Sequence, residues 1–250
     1  EGVTDGDERQ IDGLGGADPL TSKVGIVALS DQPGIDLEYL FAQVVVGQGR
    51  VDTTQNCGNI LAGVGAFALE SGMITSTKDV TRINVLMNNS NKGCELVLQT
   101  PNGEVTYAGD VAIDGVPGTA APVICNYKDV TGAICGSLFP TGAMRDEVDG
   151  VDVTCIDNGM PVVLLRASDF DVSGDESPEE LNANDALKEK LESIRLQLGP
   201  KMNLGDVSDK VVPKMTLISP PKNNGLINTR TFIPHACHTA VGVLGAVTVA

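Results

Sequence analysis

The chain has 250 residues and a net charge of −16, with 42% hydrophobic and 20% charged residues. That length suits one large domain or two of ordinary size, with enough apolar material for a real core. So acidic a chain, with no basic run to interrupt it, is repelled by nucleic acid and anionic lipid, and neither is expected as a partner.

The six cysteines form no C-x-x-C pair and only two histidines are present. No zinc-site spacing exists, so no metal is expected. A cytoplasmic chain with reduced, mostly buried thiols follows. Gly is abundant at 29 residues and aromatics are scarce at 3%, which favours tight turns over a bulky aromatic core.

In chain order, a Gly-rich loop over 12–22 leads into Lys23–Leu29, an apolar run that reads as a buried strand. Residues 38–46 are a second strand, rich in β-branched side chains. The polar turn from Val51 to Asn59 opens into Ile60–Glu70, apolar nearly all round, which reads as a helix buried on every side. Gly63 and Gly65 weaken that helix and are expected to let strands approach it closely, and Gly72 is expected to end it. Residues 81–135 read as strands, among them Arg82–Met87, Cys94–Leu98 and Val105–Tyr107, separated by turns at Pro101-Asn-Gly and Pro117-Gly. Phe139-Pro-Thr-Gly reads as a loop.

From Val153 the pattern is strand, tight turn at Asp157-Asn158-Gly159, strand. Ser177-Pro-Glu-Glu is a capping-box helix start, with Leu187, Leu191, Ile194 and Leu198 on one face and Gly199-Pro200 as the stop. A strand follows over Lys214–Ser219. The apolar run from Ala240 to Ala250 is too short to span a bilayer. The chain begins without Met and ends inside that run, so it reads as a fragment missing both ends.

One internal echo suggests two halves. Val51-Asp-Thr-Thr, a polar turn and Cys57 precede a Gly- and Ala-rich helix; Ile227-Asn-Thr-Arg, a polar turn and Cys237 precede another apolar segment. Two halves built alike, over 1–148 and 149–250, each with a central helix starting at a Cys, imply a pseudo-twofold fold.

The chemistry-bearing residues are few. Cys57, in Asn56-Cys57-Gly58-Asn59, sits at an expected helix N-terminus, where free N–H groups and the helix dipole favour a thiolate or hold a carboxylate. The alternative is a capping or core cysteine. Lys23 stands where the Gly-rich loop meets an apolar strand; burial there would make it a base, and the alternative is a strand-edge Lys reaching water. Arg230, His235 and His238 precede the last apolar segment and could hold substrate carboxylates. Cys94, Cys125, Cys135 and Cys155 read as core. A Cys and a Lys with no metal, serine triad or nucleotide loop suggest proton movement next to a carbonyl.

Gln10-Ile-Asp-Gly-Leu-Gly-Gly-Ala, Thr21-Ser-Lys-Val, Asn56-Cys-Gly-Asn, Phe139-Pro-Thr-Gly and Pro234-His resemble the PrpF family, and the resemblance runs through essentially the whole chain. It implies an α+β, diaminopimelate-epimerase-like fold of two pseudo-symmetric halves, each with strands wrapped around a central helix. The family's N-terminal strand and the part after the last helix are absent, so the 1–148 domain lacks its first strand and the 149–250 domain is incomplete. The resemblance also implies a cofactor-independent isomerase, with Lys23 and Cys57 as the catalytic pair and Ser22, Asn56, Gly58, Asn59, Arg230, His235 and His238 around the substrate. The expected partner is a small tricarboxylate, and homodimer formation stays open. The expected reaction is keto–enol tautomerisation of 4-oxalomesaconate in gallate degradation. Allylic isomerisation of 2-methylaconitate or a similar acid is the alternative, and a non-catalytic polycarboxylate-binding protein is the contrasting class. Cys237 is less dependable in this family, so a symmetric two-cysteine mechanism is not expected to transfer.

Overall fold

The structure, a computed structural model, describes residues 22–45, 50–113, 116–222, 225–240 and 242–250. The Gly-rich loop before Ser22 lies outside them. The described residues form two compact units that meet at Asp129 and Val130. The boundary read from sequence, 148/149, falls within the second unit, in the turn of a hairpin.

The first unit is a six-stranded sheet with one helix. Its strands are β1 (Lys23–Leu29), β2 (Leu37–Val45), β3 (Arg50–Asp52), β4 (Val80–Met87), β5 (Lys92–Gln99) and β6 (Val123–Lys128). The order is β1-β2-β4-β5-β6, with β3 pairing β2. Strand β4 shows why: Thr81, Ile83, Val85 and Met87 alternate inward while Val80 and Arg82 face out. The helix α1 (Gly58–Glu70) packs against β1, β2, β5 and β6. Gly65 allows that close approach: a Cβ would lie 2.7 Å from a methyl of Leu98, which would have to shift. Gly72, at φ +74°, turns the chain off the helix end as expected.

Several expectations for this unit need correction. Strand β1 is at the sheet edge, with Ile26 and Leu29 more than half exposed, so an apolar run did not mean burial on both faces. Helix α1 buries Leu61, Val64, Gly65, Ala66 and Ala68 but exposes Asn59, Gly63 and Phe67 on the opposite stripe. Nothing lies within 4 Å of the Cβ that Gly63 would carry, so only Gly65 serves close packing. Val105–Tyr107 forms no strand.

The second unit contains β7 (Asp146–Val148), β8 (Val151–Asp157), β9 (Pro161–Arg166), β10 (Lys214–Ser219) and β11 (Asn228–Phe232), in the order β11-β10-β9-β8-β7. Its core joins Val153, Cys155, Val163, Leu165, Met215 and Leu217 to Leu187, Leu191, Ile194 and Leu198. Those four leucine and isoleucine positions lie on α3 (Asp185–Lys201), as their spacing required. The helical region is not continuous: α2 (Pro178–Asn182) carries the capping box of Ser177 and Glu180, then Asn184 caps α3 by accepting from the Leu187 N–H. Gly199 and Pro200 sit inside the last turn of α3 instead of stopping it. Asp157, at the β8–β9 turn, is fully buried and accepts from the N–H groups of Ile134, Cys135 and Gly159. It thereby fixes the loop that contains Cys135, which is buried as expected but in a turn and not a strand. Cys125 is on β6 but only partly buried.

The echo between the halves breaks at its helix. The last helix, α4 (Val243–Val249), starts at the N-cap Gly242 and not at Cys237. Cys237 instead bridges back to Phe232, and the His238 N–H donates to the Thr231 carbonyl at 2.7 Å. A tight turn over 233–236 thus keeps Cys237 beside β11.

Candidate active site

The segment between β3 and α1 is held in place at each step. Asp52 accepts from the backbone N–H and hydroxyl of Thr54, which turns the chain. Gln55 and Asn56 are buried, and Cys57 is the N-cap residue of α1, with extended backbone angles (φ −126°, ψ 105°). Its side chain makes no capping bond, and no acidic residue stands in the first turn. The positive end of the helix dipole therefore lies beside a half-buried thiol. The Cys57 carbonyl is doubly engaged, by the Leu61 N–H at 3.0 Å and the Tyr39 hydroxyl at 3.1 Å.

The turn after β4, Asn88-Asn-Ser-Asn, supplies the supports. Asn89 accepts from the Phe41 N–H and donates to the carbonyls of Phe41 and Thr53, all at 2.8 Å, tying the segment before Cys57 to β2. The Asn56 amide donates to Ser90 Oγ at 2.7 Å. The head of α1 is thus anchored at the β4–β5 turn. Sequence reading missed Tyr39, Asn89 and Ser90; the run of amides closing a strand was the one available signal.

Lys23 opens β1, opposite Gln43. Gly25, two residues on and so on the same face, approaches α1 closely: a Cβ there would lie 2.9 Å from Ile60 and 3.2 Å from the Tyr39 ring. Lys23, half-buried, therefore projects from the sheet face against which the head of α1 packs. Ser22 is buried, and its carbonyl accepts from the Val44 N–H and the Gln43 amide. Ser22, Lys23, Asn56, Cys57, Gly58 and Asn59 thus belong to one unit, with Gly58 buried and Asn59 on the exposed side of the first turn.

Burial shapes the neighbouring phenols and thiols. It raises Tyr39, with the Cys57 charge adding to the effect. Burial also raises Tyr127, and Cys125, Cys94, Cys57 and Tyr39 raise it further. Cys94 is raised chiefly by its hydrogen bond with Cys125 and then by burial, so it stays a neutral thiol.

Arg230, His235 and His238 lie in the second unit. Two guanidinium N–H groups of Arg230 meet backbone carbonyls, Glu176 at 2.9 Å and Thr229 at 3.0 Å. His235 is exposed, 3.7 Å from Glu192. His238 Nδ1 accepts from the Ala240 N–H at 2.9 Å. Cys237 is buried; its N–H donates to Asn182 and burial pushes its thiol up to about 11, opposed by Arg230. Among the described residues no three His, Cys, Asp or Glu side chains are grouped to hold a metal ion, and no helix is long and apolar enough to cross a membrane.

A half-buried thiol at an uncapped helix head, with a lysine on the same sheet face, is an arrangement suited to moving protons beside an anionic substrate. Comparison with known proteins gives the family and the class of reaction. The model of the PrpF protein family matches residues 2–250. The chain is 59% identical to 4-oxalomesaconate tautomerase of Pseudomonas putida over 98% of its own length and 68% of that protein's. It is 54% identical to (4E)-oxalomesaconate Delta-isomerase of Novosphingobium sp. over the same shares. The crystal structure of a methylitaconate-delta-isomerase superimposes with a TM-score of 0.77 at 31% identity, covering 97% of this chain and 69% of that one. The chain belongs to the PrpF family and has the diaminopimelate-epimerase-like α+β fold that the sequence implied. Like these relatives, it is an isomerase.

Proposed function

We propose that this isomerase interconverts the keto and enol forms of 4-oxalomesaconate, with Lys23 and Cys57 as the proton-handling pair and the cytoplasm as its place of action. The observation that carries the site is Cys57 at the uncapped head of α1, on the sheet face from which Lys23 projects. One of the two removes a proton from the carbon beside the oxo group. The negative charge moves to the oxo oxygen, where the positive end of the α1 dipole stabilises it. Protonation of that oxygen completes the enol. Both relatives named for oxalomesaconate support the substrate, and the placing of Cys57 at the N-cap of α1 supports the pair.

Those two relatives also motivate a second reading. One name describes a tautomerase and the other a Delta-isomerase, which shifts a double bond. The first step is common to both; they differ in whether the proton returns to oxygen or to a distant carbon. The test is ultraviolet absorbance of the conjugated dienol, with 2-methylaconitate as control substrate, repeated in D2O with NMR of the product. A dienol signal with 4-oxalomesaconate alone supports tautomerisation. Stable carbon-bound deuterium at the distal position supports the allylic shift. Silence with both substrates, together with undiminished ligand binding by Cys57→Ser, would move the protein to the non-catalytic class.

A further inference from the structure

Among the described residues, only two buried side-chain polar atoms lack a hydrogen-bond partner: Asn56 Oδ1 and Tyr127 Oη. Leaving such an atom unsatisfied costs about 1–3 kcal/mol, so two in one place call for a reason. Both flank Cys57. Asn56 precedes it in the chain and is fixed to Ser90 in the β4–β5 turn. Tyr127 stands directly across from Cys94, the third residue of β5 after that turn. The same sheet face carries Leu98, on which Gly65 of α1 rests, so α1 runs from the Tyr127 end of β5 toward its far end.

The other tyrosines are engaged. Tyr39 donates to the Cys57 carbonyl at 3.1 Å and Tyr107 donates to Glu70 at 2.8 Å. Tyr127 alone presents an O–H that is shielded from water and has no acceptor. Such a donor is stronger toward a developing negative charge than one in water. Since burial and the nearby thiols raise its pKa, it stays protonated and can donate throughout the neutral range.

We propose that Tyr127 is a further catalytic residue, whose hydroxyl donates to the oxo oxygen of the substrate as that oxygen becomes an enolate. Asn56 Oδ1, an acceptor, then receives the O–H of the finished enol, which the keto form does not have. The assignment rests on the tautomerase reading above.

The protein has three tyrosines and no tryptophan, so the long-wavelength part of a near-ultraviolet difference spectrum, beyond the phenylalanine bands, reports on tyrosine. The ligand probe is oxalate, a planar dianion that resembles the enolate of a 2-oxo acid. Oxalate is expected to perturb the tyrosine band of the wild type and of Tyr107→Phe, but not of Tyr127→Phe. With 4-oxalomesaconate, Tyr127→Phe is expected to lose about 10²-fold in kcat with little change in KM, the scale of one lost oxyanion donor. Its Tm should be unchanged or higher, because an unpaired buried hydroxyl is removed. A Tyr127→Phe variant that retains the oxalate band and turns over within twofold of wild type overturns the proposal while leaving the tautomerase reading intact. A wild type inactive on 4-oxalomesaconate that still shows a Tyr127-dependent band overturns the tautomerase reading but upholds the anion contact. No activity and no band overturns both.

Discussion

Brief alkylation with iodoacetamide at pH 8.5 should separate Cys57 from the buried Cys135, Cys155 and Cys237. Burial pushes Cys237 up to about 11 and Cys135 and Cys155 up to about 12. At pH 8.5 a thiol of pKa 11 is about 0.3% thiolate, against roughly half for a cysteine of ordinary value. Since the thiolate is the reacting form, that alone slows Cys237 about 150-fold relative to an ordinary cysteine, before its low accessibility is counted. Cys135 and Cys155 should be slower still, at about 0.03% thiolate. Cys57 and Cys125 are the two thiols that are not fully buried. Peptide mapping after a short reaction is expected to show label on Cys57, with Cys237, Cys135 and Cys155 unlabelled until the protein is denatured. Labelling of Cys237 at a rate within threefold of Cys57 would refute the burial argument for the second unit.

Further expectations follow from named contacts. Lys23→Ala or Cys57→Ser should lower kcat at least ~10²-fold, as general acid–base partners do, in the dienol assay. Asn89→Ala removes three bonds at 2.8 Å, two to Phe41 of β2 and one to Thr53, so it should lower kcat/KM and also reduce stability by about 2–4 kcal/mol in urea titration. Asp157→Ala strips acceptors from three backbone N–H groups and should cost about 3–5 kcal/mol by the same measurement. Alkali should destabilise the fold. The raised thiols of Cys135, Cys155 and Cys237 contribute stability that is complete below the unfolded value of about 8.5 and is lost as pH rises toward 11–12, at up to about 1.4 kcal/mol per pH unit for each. A flat urea midpoint between pH 8.5 and 10.5 would contradict this.

Local patterns in the sequence were enough to place β4, β5, β8, β9, α1 and the capping box of α2, because alternation, apolar periodicity and cap chemistry are written within a few residues. The head of α1 at Cys57 was legible for the same reason: a polar turn with a glycine feeds an apolar helix. Exposure was not legible. The run Lys23–Leu29 looks the same whether a strand is central or at an edge, and only the sheet order decides. The break between α2 and α3 was present in Asn184, a second capping residue, but one continuous apolar face concealed it. The supports of the site left no local mark. Asn89 reaches Phe41 across 48 positions and Asn56 reaches Ser90 across 34, and no periodicity encodes such pairs.

The unequal environments of Cys57 and Cys237 bear on the mechanism. A two-thiol exchange needs two cysteines able to ionise, one for each face of the substrate carbon. Cys57 is half-buried and is the N-cap residue of a helix of 13 residues. Cys237 is 5% exposed, bridged to Phe232, fixed by Asn182 through its N–H, and raised to about 11. The helix that follows has Gly242 as its N-cap, so Cys237 does not stand at a helix head as Cys57 does. Tautomerisation makes no demand for a second thiol, since the proton that leaves carbon is replaced by one on oxygen. Cys237→Ser should therefore keep kcat within about threefold of wild type, where Cys57→Ser loses at least ~10²-fold. Equal and large losses in both, with both variants folded by circular dichroism, would mean that Cys237 ionises during turnover and that the reaction is two-sided after all.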